Sequence, residues 1–262
     1  MSRHRFFLQA PLPEAVDGAV VLPLTAADVH HAVGVLRVRT GEEIDVVEPG
    51  GAVARVAVTA ATSEAVLATI VDRRSAVPAV ASPRVTLVFG VSKGGRNDEI
   101  VEGATEVGVA AFLPVLTSRS IVKLDADKRA ERGARWRRVA LAAAKQSKRD
   151  VVPEVAAPAD LADVLPVIAA FDLVLIAWEE TATGGIGVRE AIARAVADLG
   201  RAARVAICVG PEGGLAGEEV AALERIGATP VTLGATILRA ETAAVVASAL
   251  VVHELGGLGN AS

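Results

Sequence analysis

From Val85 onward, short apolar runs alternate with segments of helical periodicity, and this alternation restricts the fold more than any other feature of the chain. Parallel strands need a long crossover between them, and a helix usually supplies it. The pattern therefore predicts an α/β domain with a mostly parallel sheet. We predict strands at 85–91, 111–116, 173–177, 205–209 and 230–233, and helices at 97–107, 127–148, 160–169, 188–199, 217–226 and 241–255.

The first 72 residues show a different pattern, in which apolar and polar residues alternate and Pro49-Gly50-Gly51 indicates a turn. We predict strands at 43–48, 52–59 and 65–72 and a short helix at 26–36. The stretch 72–84 contains two prolines and several small residues, which is typical of a linker. We therefore predict a small β-rich domain at 1–73 and an α/β domain at 74–262.

The composition excludes several classes of protein. The longest nearly apolar stretch, 165–178, is interrupted by Pro166 and Asp172 and is too short to span a bilayer. The N-terminal segment has no long apolar core, so we predict no signal peptide. Cys208 is the one cysteine of the chain, which excludes an intrachain disulfide and a cysteine-based metal cage. We expect a cytoplasmic protein with no membrane partner.

A basic block lies within an acidic chain. Residues 119–149 contain eleven Lys or Arg and three Asp or Glu, a local charge of +8, whereas the whole chain has a net charge of −4. Such a block is typical either of a phosphate-binding surface or of a solvated helix face. Aromatic residues make up 3% of the chain and Tyr is absent, which argues against a base-stacking platform. For a nucleic-acid ligand we expect phosphate contacts and a strong dependence of affinity on salt.

Two glycine-bearing loops near the C-terminus indicate a binding site. The runs Val209–Gly214 (Val-Gly-Pro-Glu-Gly-Gly) and Leu233–Ala243 each follow a predicted strand and lead into a predicted helix. Such loops can place backbone N–H and C=O groups around a flat polar ligand. The second loop adds a cation and a carboxylate, Arg239 and Glu241. Taken alone, the first loop is also explained by a tight turn with a positive φ at one of its last two glycines.

These two loops resemble those of the RsmE family of ribosomal-RNA uridine N3-methyltransferases, within the SPOUT superfamily. Similar runs occur along nearly the whole chain and in the same order. They are Arg5–Phe7, 30–37, Lys93-Gly94-x-Arg96, 104–109, Ser118-Arg119 with Val122-Lys123, Gln146-Ser147-x-Arg149 with Val152-Pro153-Glu154, 209–215 and 233–243. The resemblance implies an N-terminal PUA-like β-barrel and a C-terminal α/β domain with a trefoil knot. It also implies S-adenosylmethionine as the cofactor and a homodimer, which agrees with the nearly all-apolar last helix.

The resemblance implies a set of cofactor contacts that are made mainly by backbone groups. These residues are Ala177, Trp178, Val209, Gly210, Glu212, Gly214, Leu233, Ile237 and Leu238. Core packing is the alternative explanation for the apolar members, and turn stabilisation is the alternative for Glu212. Because the methyl group arrives already activated, we expect no metal.

Arg239 and Glu241 are the candidate catalytic residues. Uridine N3 becomes a nucleophile only as its proton leaves, so a cation near the uracil carbonyls would stabilise the developing anion. Arg239 is our candidate for that role, with a surface ion pair to Glu241 or phosphate binding as alternatives. Glu241 would orient Arg239 or act as a base, and its alternative is a favourable charge at a helix N-terminus.

The substrate implied by the resemblance is one uridine of 16S ribosomal RNA, uridine 1498 in family nomenclature, in free RNA or in the 30S subunit. Each candidate RNA contact is, taken singly, also explained as an ordinary surface charge. The candidates are Arg3, Arg5, Arg37, Lys93, Arg96, Arg119, Lys123, Lys148 and Arg149. The chain departs from the family pattern at Gly103, Lys145, Ala216 and Thr236. Because Ala216 replaces a capping serine, we predict that Gly217 serves as a weaker helix cap.

Three other functions stay open at this point. A SPOUT methyltransferase that acts on another RNA, such as tRNA, would keep the two loops and differ in its N-terminal contacts. A non-catalytic RNA-binding factor for ribosome assembly would not bind S-adenosylmethionine. A nucleotide-dependent oxidoreductase is disfavoured, because the chain lacks both a P-loop and an early Gly-x-Gly-x-x-Gly fingerprint.

Overall fold

The chain forms two compact units. The computed structural model describes residues 3–16, 18–75, 84–120, 122–180, 185–195 and 203–258. Unit 1 comprises Met1–Pro78 and Lys145–Val151, and unit 2 comprises Ala79–Ala144 and Val152–Ser262. No local sequence pattern indicates that the short segment Lys145–Val151 belongs with unit 1. The domain boundary that we place at 73/74 stays a prediction.

Unit 1 is built on a sheet of five strands. They are β1 (Arg5–Phe7), β2 (Val20–Val21), β3 (Glu43–Val47), β4 (Val53–Ala61) and β5 (Val66–Arg74). Their order in the sheet is β1-β3-β4-β5-β2, with β1 parallel to β3 and the other pairs antiparallel. Alternation buries Ile44, Val46 and Val56 completely in the core. The three longer strands confirm the prediction, whereas β1 and β2 have too few residues to show a period.

The two outer strands of this sheet approach each other. Leu8 continues the pairing of β1 by donating its N–H to Val47, and the next residue, Gln9, donates to the carbonyl of Pro23 at 2.8 Å. Pro23 follows β2, so this bond joins the two edges of the sheet. The curled sheet agrees with the β-barrel that the resemblance implies.

The helix predicted at 26–36 consists of two consecutive segments, α1 (Ala26–His30) and a π-helical turn (His31–Val35). Thr25 caps α1, because its Oγ1 accepts the N–H of Asp28 at 3.0 Å. The π-helical turn ends shortly before Arg37, which has a φ of 55°. π-helical turns are rare and are frequent at functional sites.

Unit 2 contains a parallel sheet with helices packed on it. The strands are β6 (Arg84–Gly90), β7 (Ala111–Leu116), β8 (Glu154–Val155), β9 (Ala159–Asp160), β10 (Leu173–Ala177), β11 (Ile186–Gly187), β12 (Arg204–Val209) and β13 (Thr229–Thr232). The helices are α2 (Arg96–Glu106), α3 (Ala126–Gln146), whose last two residues belong to unit 1, α4 (Leu161–Ile168), α5 (Val188–Ala195), α6 (Gly217–Arg225) and α7 (Ala240–Glu254). The sheet order is β11-β13-β10-β12-β6-β7-β8, β9 also pairs with β7, and every pairing is parallel.

This arrangement confirms the predicted α/β class with a parallel sheet. The predicted elements of this region are present, with ends that differ by one or two residues. The basic helix α3 ends at Gln146 rather than at 148. Parts of two predictions, 76–83 of the linker and 196–199 of the helix at 188–199, lie outside the described residues.

Both faces of the sheet in unit 2 are buried. On one face Phe89 packs edge-on against Trp136, with ring centroids 5.7 Å apart. On the other face Val88 lies in the same cluster as Cys208. Burial raises the pKa of the Cys208 thiol to about 12, so this side chain is a neutral core residue, as predicted.

The nearly all-apolar helix α7 packs within unit 2 against α2, α5, β6 and β12. Helices α2 and α7 are close together at Gly103, where an added Cβ would lie 2.8 Å from Val245 Cγ2. The departure from the family pattern at Gly103 is therefore matched to this contact. A strip of α7 is still partly or fully exposed, and it consists of Thr242, Val246, Leu250 and His253.

Candidate functional site

Three neighbouring strands of unit 2 end at the same edge of the sheet. β10 lies between β12 and β13, and its last residue, Ala177, pairs with Val209 on one side and Val231 on the other. The loops 210–216 and 233–239 therefore begin two strands apart at this carboxyl edge. In open parallel sheets, ligands bind in the crevice outside the carboxyl ends of the strands.

The conformation of the first loop depends on two glycines. Gly214 has a φ of +70°, and an added Cβ there would overlap the carboxylate of Glu179. A Cβ at Gly210 would lie 2.8 Å from the carbonyl carbon of Gly214. The N–H of Gly214 donates to the carbonyl of Pro211 at 2.8 Å and closes a turn. The loop folds back on itself so tightly that both positions require glycine.

The two loops and the end of β10 enclose a cavity of about 450 Å³, which we call the edge cavity. Small-molecule sites commonly have volumes of roughly 300–1,000 Å³. All the residues that we predict to contact the cofactor line it, and they are Ala177, Trp178, Val209, Gly210, Glu212, Gly214, Leu233, Ile237 and Leu238. Both candidate catalytic residues, Arg239 and Glu241, line it as well. Their roles stay predictions, but the structure brings all of them together.

The wall formed by the second loop is open to solvent. Ile237 is 86% exposed, and Thr236 and Arg239 are also exposed. A ligand in the edge cavity that covered Ile237 would remove a large apolar side chain from water.

Two charged residues of the edge cavity, Glu179 and Arg96, were missed by the sequence reasoning or given another role. Glu179 directly follows Trp178 after the end of β10, and this position beside a predicted cofactor contact could have identified it from the sequence. Arg96, which we predict as an RNA contact, lines the cavity from the start of α2.

Arg96 lies between two carboxylates of the edge cavity. Its Nη1 is 2.8 Å from Glu212 Oε1, and its Nε is 3.9 Å from Glu241 Oε2. Burial opposes ionisation of Glu212, but the nearby hydroxyl of Ser92, the backbone N–H groups and the charge of Arg96 outweigh it and hold the pKa of Glu212 below its ordinary value. Of the described cations, Arg96 rather than Arg239 is within ion-pair distance of Glu241. The ion pair considered as an alternative role for Arg239 is therefore not formed.

Of the other RNA candidates in unit 2, Arg119 supports the first loop. Its Nη1 donates to the carbonyl of Gly213 at 3.0 Å. Lys93 and Lys123 are exposed, as a phosphate contact requires.

The RNA candidates of unit 1 differ in how exposed their side chains are and in whether they are bonded within the unit. Arg37 and Lys148 are exposed, and Arg149 is half-buried. Arg3 forms a surface ion pair in which its Nε lies 3.4 Å from Asp45 Oδ1. Arg5 has a side chain that is only 12% exposed and bonded within unit 1, so the structure gives no support for direct RNA contact by its guanidinium.

The prediction that Gly217 caps α6 is wrong. The N-cap residue is Ala216, whose N–H donates to Glu219 Oε2 at 2.8 Å. The other carboxylate oxygen of Glu219 accepts the N–H of Ser118 at 2.7 Å. A glutamate of the first helical turn therefore supplies its half of a capping box, while the alanine at the N-cap has no side-chain acceptor to supply the other half.

Among the residues that the structure describes, no group of three or more His, Cys, Asp or Glu side chains could hold a metal ion. Within the same residues, no helix is long and apolar enough to cross a membrane.

Comparison with known proteins agrees with this fold and cavity. Residues 80–252 match the family model described as an RNA methyltransferase domain, and residues 24–71 match the one described as an RNA methyltransferase PUA domain. The parallel α/β unit with its edge cavity and the small β-sheet unit are therefore those of an RNA methyltransferase.

Individual relatives narrow this class. The ribosomal RNA small subunit methyltransferase E of Bacillus subtilis is 30% identical over 255 residues, which cover 96% of this chain and 96% of the relative. The protein of the same name from Mycobacterium bovis is 35% identical over 236 residues, covering 88% of this chain and 86% of the relative. The crystal structure of a ribosomal RNA small subunit methyltransferase E from Neisseria gonorrhoeae, bound to S-adenosyl methionine, has 27% identity and a TM-score of 0.78, and the match covers 98% of this chain and 100% of that one. This chain belongs to the ribosomal RNA small subunit methyltransferase E family, which confirms the resemblance inferred from its motifs.

Proposed function

We propose that this protein transfers a methyl group from S-adenosylmethionine to N3 of a single uridine in 16S ribosomal RNA, uridine 1498 in family nomenclature. The observation that supports this most strongly is the edge cavity, because the two loops that resemble the family's cofactor loops form its walls together. Membership of the family adds the substrate class, since the relatives are named for small-subunit ribosomal RNA.

The edge cavity fits the proposed cofactor in its charge. Glu179, Glu212 and Glu241 contribute three carboxylates to the lining, against the two guanidinium groups of Arg96 and Arg239. An acidic lining suits a ligand with a positive sulfonium. Gly210 and Gly214 allow the backbone of the first loop to approach the ligand closely. When bound, the cofactor supplies a methyl group that is already activated for transfer.

Arg239 and Glu241 would act on the uracil ring. Arg239 is the N-cap residue of α7 and is exposed at the cavity wall. From there its guanidinium would stabilise the negative charge that develops on the uracil carbonyls as the N3 proton leaves. The side chain of Glu241 is 15% exposed, and its Oε2 has no hydrogen-bond partner among the described residues. This oxygen is the candidate proton acceptor.

We further propose that the protein is a cytoplasmic homodimer that acts on free 16S ribosomal RNA or on the 30S subunit. The support for a dimer is the exposed strip of α7, in which Leu250 is 37% exposed and lies in the stretch 243–252, whose one polar residue is Ser248. A second copy that covered this strip would bury it from water.

Nucleoside analysis of cellular RNA tests the proposed reaction. An N3-methyl group blocks base pairing, so reverse transcription of 16S ribosomal RNA should stop at the target in wild-type cells and read through in a deletion strain. Complementation with this protein should restore the stop and the 3-methyluridine detected by mass spectrometry, and the Arg239→Ala variant should restore neither. An unchanged stop in the deletion strain would refute the proposal. A purified protein that binds RNA but shows no heat of binding with S-adenosylmethionine would indicate a non-catalytic assembly factor.

A further inference from the structure

The segment 145–151, which we call the basic turn, is fastened to unit 1 by two arginines. The guanidinium of Arg5 donates to the carbonyl oxygens of Lys148 and Arg149, the second at 3.0 Å, and to Asp150 Oδ1 at 2.9 Å. Arg74 Nη2 donates to the other oxygen of Asp150 at 2.7 Å. Arg5 lies on β1 and Arg74 on β5, so both oxygens of the Asp150 carboxylate are bound by arginines of the unit 1 sheet.

The beginning of the basic turn is fixed as well. Lys145 Nζ is 2.7 Å from Asp28 Oδ1. Asp28 lies in the first turn of α1 and also accepts the hydroxyl of Thr25 at 2.8 Å. The departure from the family pattern at Lys145 therefore provides a second attachment of the basic turn to unit 1.

The basic turn contains a strained residue. Among the described residues, Lys148 and Arg37 are the two non-glycine residues with a positive φ, at 58° and 55°. Both are basic, both are exposed, and both belong to unit 1. A side chain with a Cβ is costly in this left-handed region, and such residues cluster at functional sites. Glycine would be less strained at position 148, whereas lysine places an exposed ammonium group there.

Arg149, the next residue, is a half-buried cation. Burial lowers its pKa to about 10, so its guanidinium is still charged at neutral pH. The basic turn thus holds two adjacent cations in one fixed backbone conformation.

We propose that Arg5 is a positioning residue for RNA binding. Through Asp150 and two backbone carbonyls it holds the basic turn in the strained conformation that presents Lys148 and Arg149 to RNA phosphates, and Arg74 is the second support. The inference rests on the proposed function, because RNA is the partner. It replaces the expectation that Arg5 itself contacts RNA.

Substitution of Asp150 distinguishes a positioning effect on the basic turn from the effect of removing one negative charge. Removal of a carboxylate from a protein that binds a polyanion should strengthen binding through charge alone. If Arg5 and Arg74 position the basic turn through Asp150, Asp150→Asn should instead weaken binding to in vitro transcribed 16S ribosomal RNA by about tenfold. Asp45→Asn is the matched control, since Asp45 is a surface carboxylate of the same unit paired with Arg3, and it should bind as tightly as wild type or more tightly. An Asp150→Asn protein with wild-type or higher RNA affinity would overturn the proposal.

A second pair of variants keeps the proposal testable if Asp150→Asn does not fold. Lys148→Gly relieves the left-handed strain, so it should stay folded, lose RNA affinity and reduce the salt slope of binding by about one unit. Arg5→Lys keeps the charge, but its ammonium ends one bond short of the Nη1 that makes all three hydrogen bonds, so it should weaken binding by a similar factor. The double variant should lose no more than either single one. Wild-type affinity of Arg5→Lys, or losses that add, would mean that Arg5 does not act through Lys148.

Cofactor binding distinguishes failure of this inference from failure of the proposed function. The edge cavity lies in unit 2, so every variant above should bind S-adenosylmethionine with wild-type affinity in calorimetry. Loss of RNA binding with intact cofactor binding supports positioning. Wild-type protein that binds neither S-adenosylmethionine nor 16S ribosomal RNA would instead refute the proposed function.

Discussion

The edge cavity and the basic turn bring charged and polar groups together in different ways. The cavity consists mostly of two runs of consecutive residues that follow β12 and β13, the two strands on either side of β10, so sheet register and two glycines determine its shape. The basic turn is held by residues far away in the chain, such as Arg5, which lies 143 positions before Lys148. The contrast shows that a site made from local loops can be predicted from the sequence. Whether a charged side chain is free to bind a ligand depends instead on long-range contacts. Arg5 and Lys148 are both basic, yet the side chain of Arg5 is only 12% exposed whereas Lys148 is exposed.

The largest effect should come from the backbone of the cavity. Gly214→Ala places a Cβ at a positive φ and against Glu179, so we expect a cost of about 2 kcal/mol or more, which corresponds to about a 30-fold loss of S-adenosylmethionine affinity. Calorimetry measures it. Gly217→Ala is the matched control, because that glycine has no atom within 4 Å of an added Cβ and no positive φ, and it should bind normally. Normal binding by Gly214→Ala would show that the cavity does not depend on this turn.

The second effect concerns the reaction rather than binding. Arg239→Ala should lower kcat for methyl transfer by about 10²–10³-fold while cofactor affinity changes by only a few-fold, because Arg239 would act on charge that develops during the reaction. Single-turnover transfer of labelled methyl to 16S ribosomal RNA measures this. Arg225→Ala, on an exposed position of α6 outside the edge cavity, is the control and should be fully active. A fully active Arg239→Ala enzyme would remove Arg239 from the mechanism.

The third effect concerns assembly. Leu250→Arg places a charge on the exposed strip of α7 and should convert the proposed dimer into a monomer in light scattering. Val167→Arg, at a 51% exposed apolar position of α4, should leave the dimer intact. A monomeric wild-type protein, or a dimeric Leu250→Arg variant, would contradict the assignment of this strip.

The smallest effect should follow from the Arg96–Glu212 pair. The pKa of Glu212 is held below its ordinary value of 4.5, so its carboxylate adds stability above that pH, and this contribution is lost as pH falls through the folded-state pKa. Arg96→Gln should move the pKa of Glu212 upward in an NMR titration. Because the pair is partly exposed, the change in unfolding free energy at neutral pH should be only a few tenths of a kcal/mol. In a Glu212→Gln background, Arg96→Gln should have a smaller effect, which its longer contact with Glu241 would account for, and an equal effect there would show that Arg96 and Glu212 are not coupled.

The sequence predicted the parallel sheet and the composition of the edge cavity because both depend on short-range patterns. Apolar runs such as 205–209 identify central strands, and the loops that follow β12 and β13 converge at the carboxyl edge of one sheet. The five-residue strand 173–177 was predicted for the same reason, and Ala177 lies between the two loops as a result.

Other features were beyond the reach of local patterns. β8, β9 and β11 have two residues each, which is too few to show a period. The cap of α6 was mispredicted because Glu219 reaches back to Ala216, a contact that depends on side-chain direction. The roles of Arg96 and Arg5 required knowledge of which carboxylates lie beside them in the fold.

A crystal structure of the protein grown with S-adenosylmethionine tests the central claim most directly. We predict that the ligand lies in the edge cavity, between the loop after Val209 and the loop after Thr232, with its methyl group facing the side of Arg239. Electron density for the ligand at any other place, with the space between these loops empty, would contradict the proposed function.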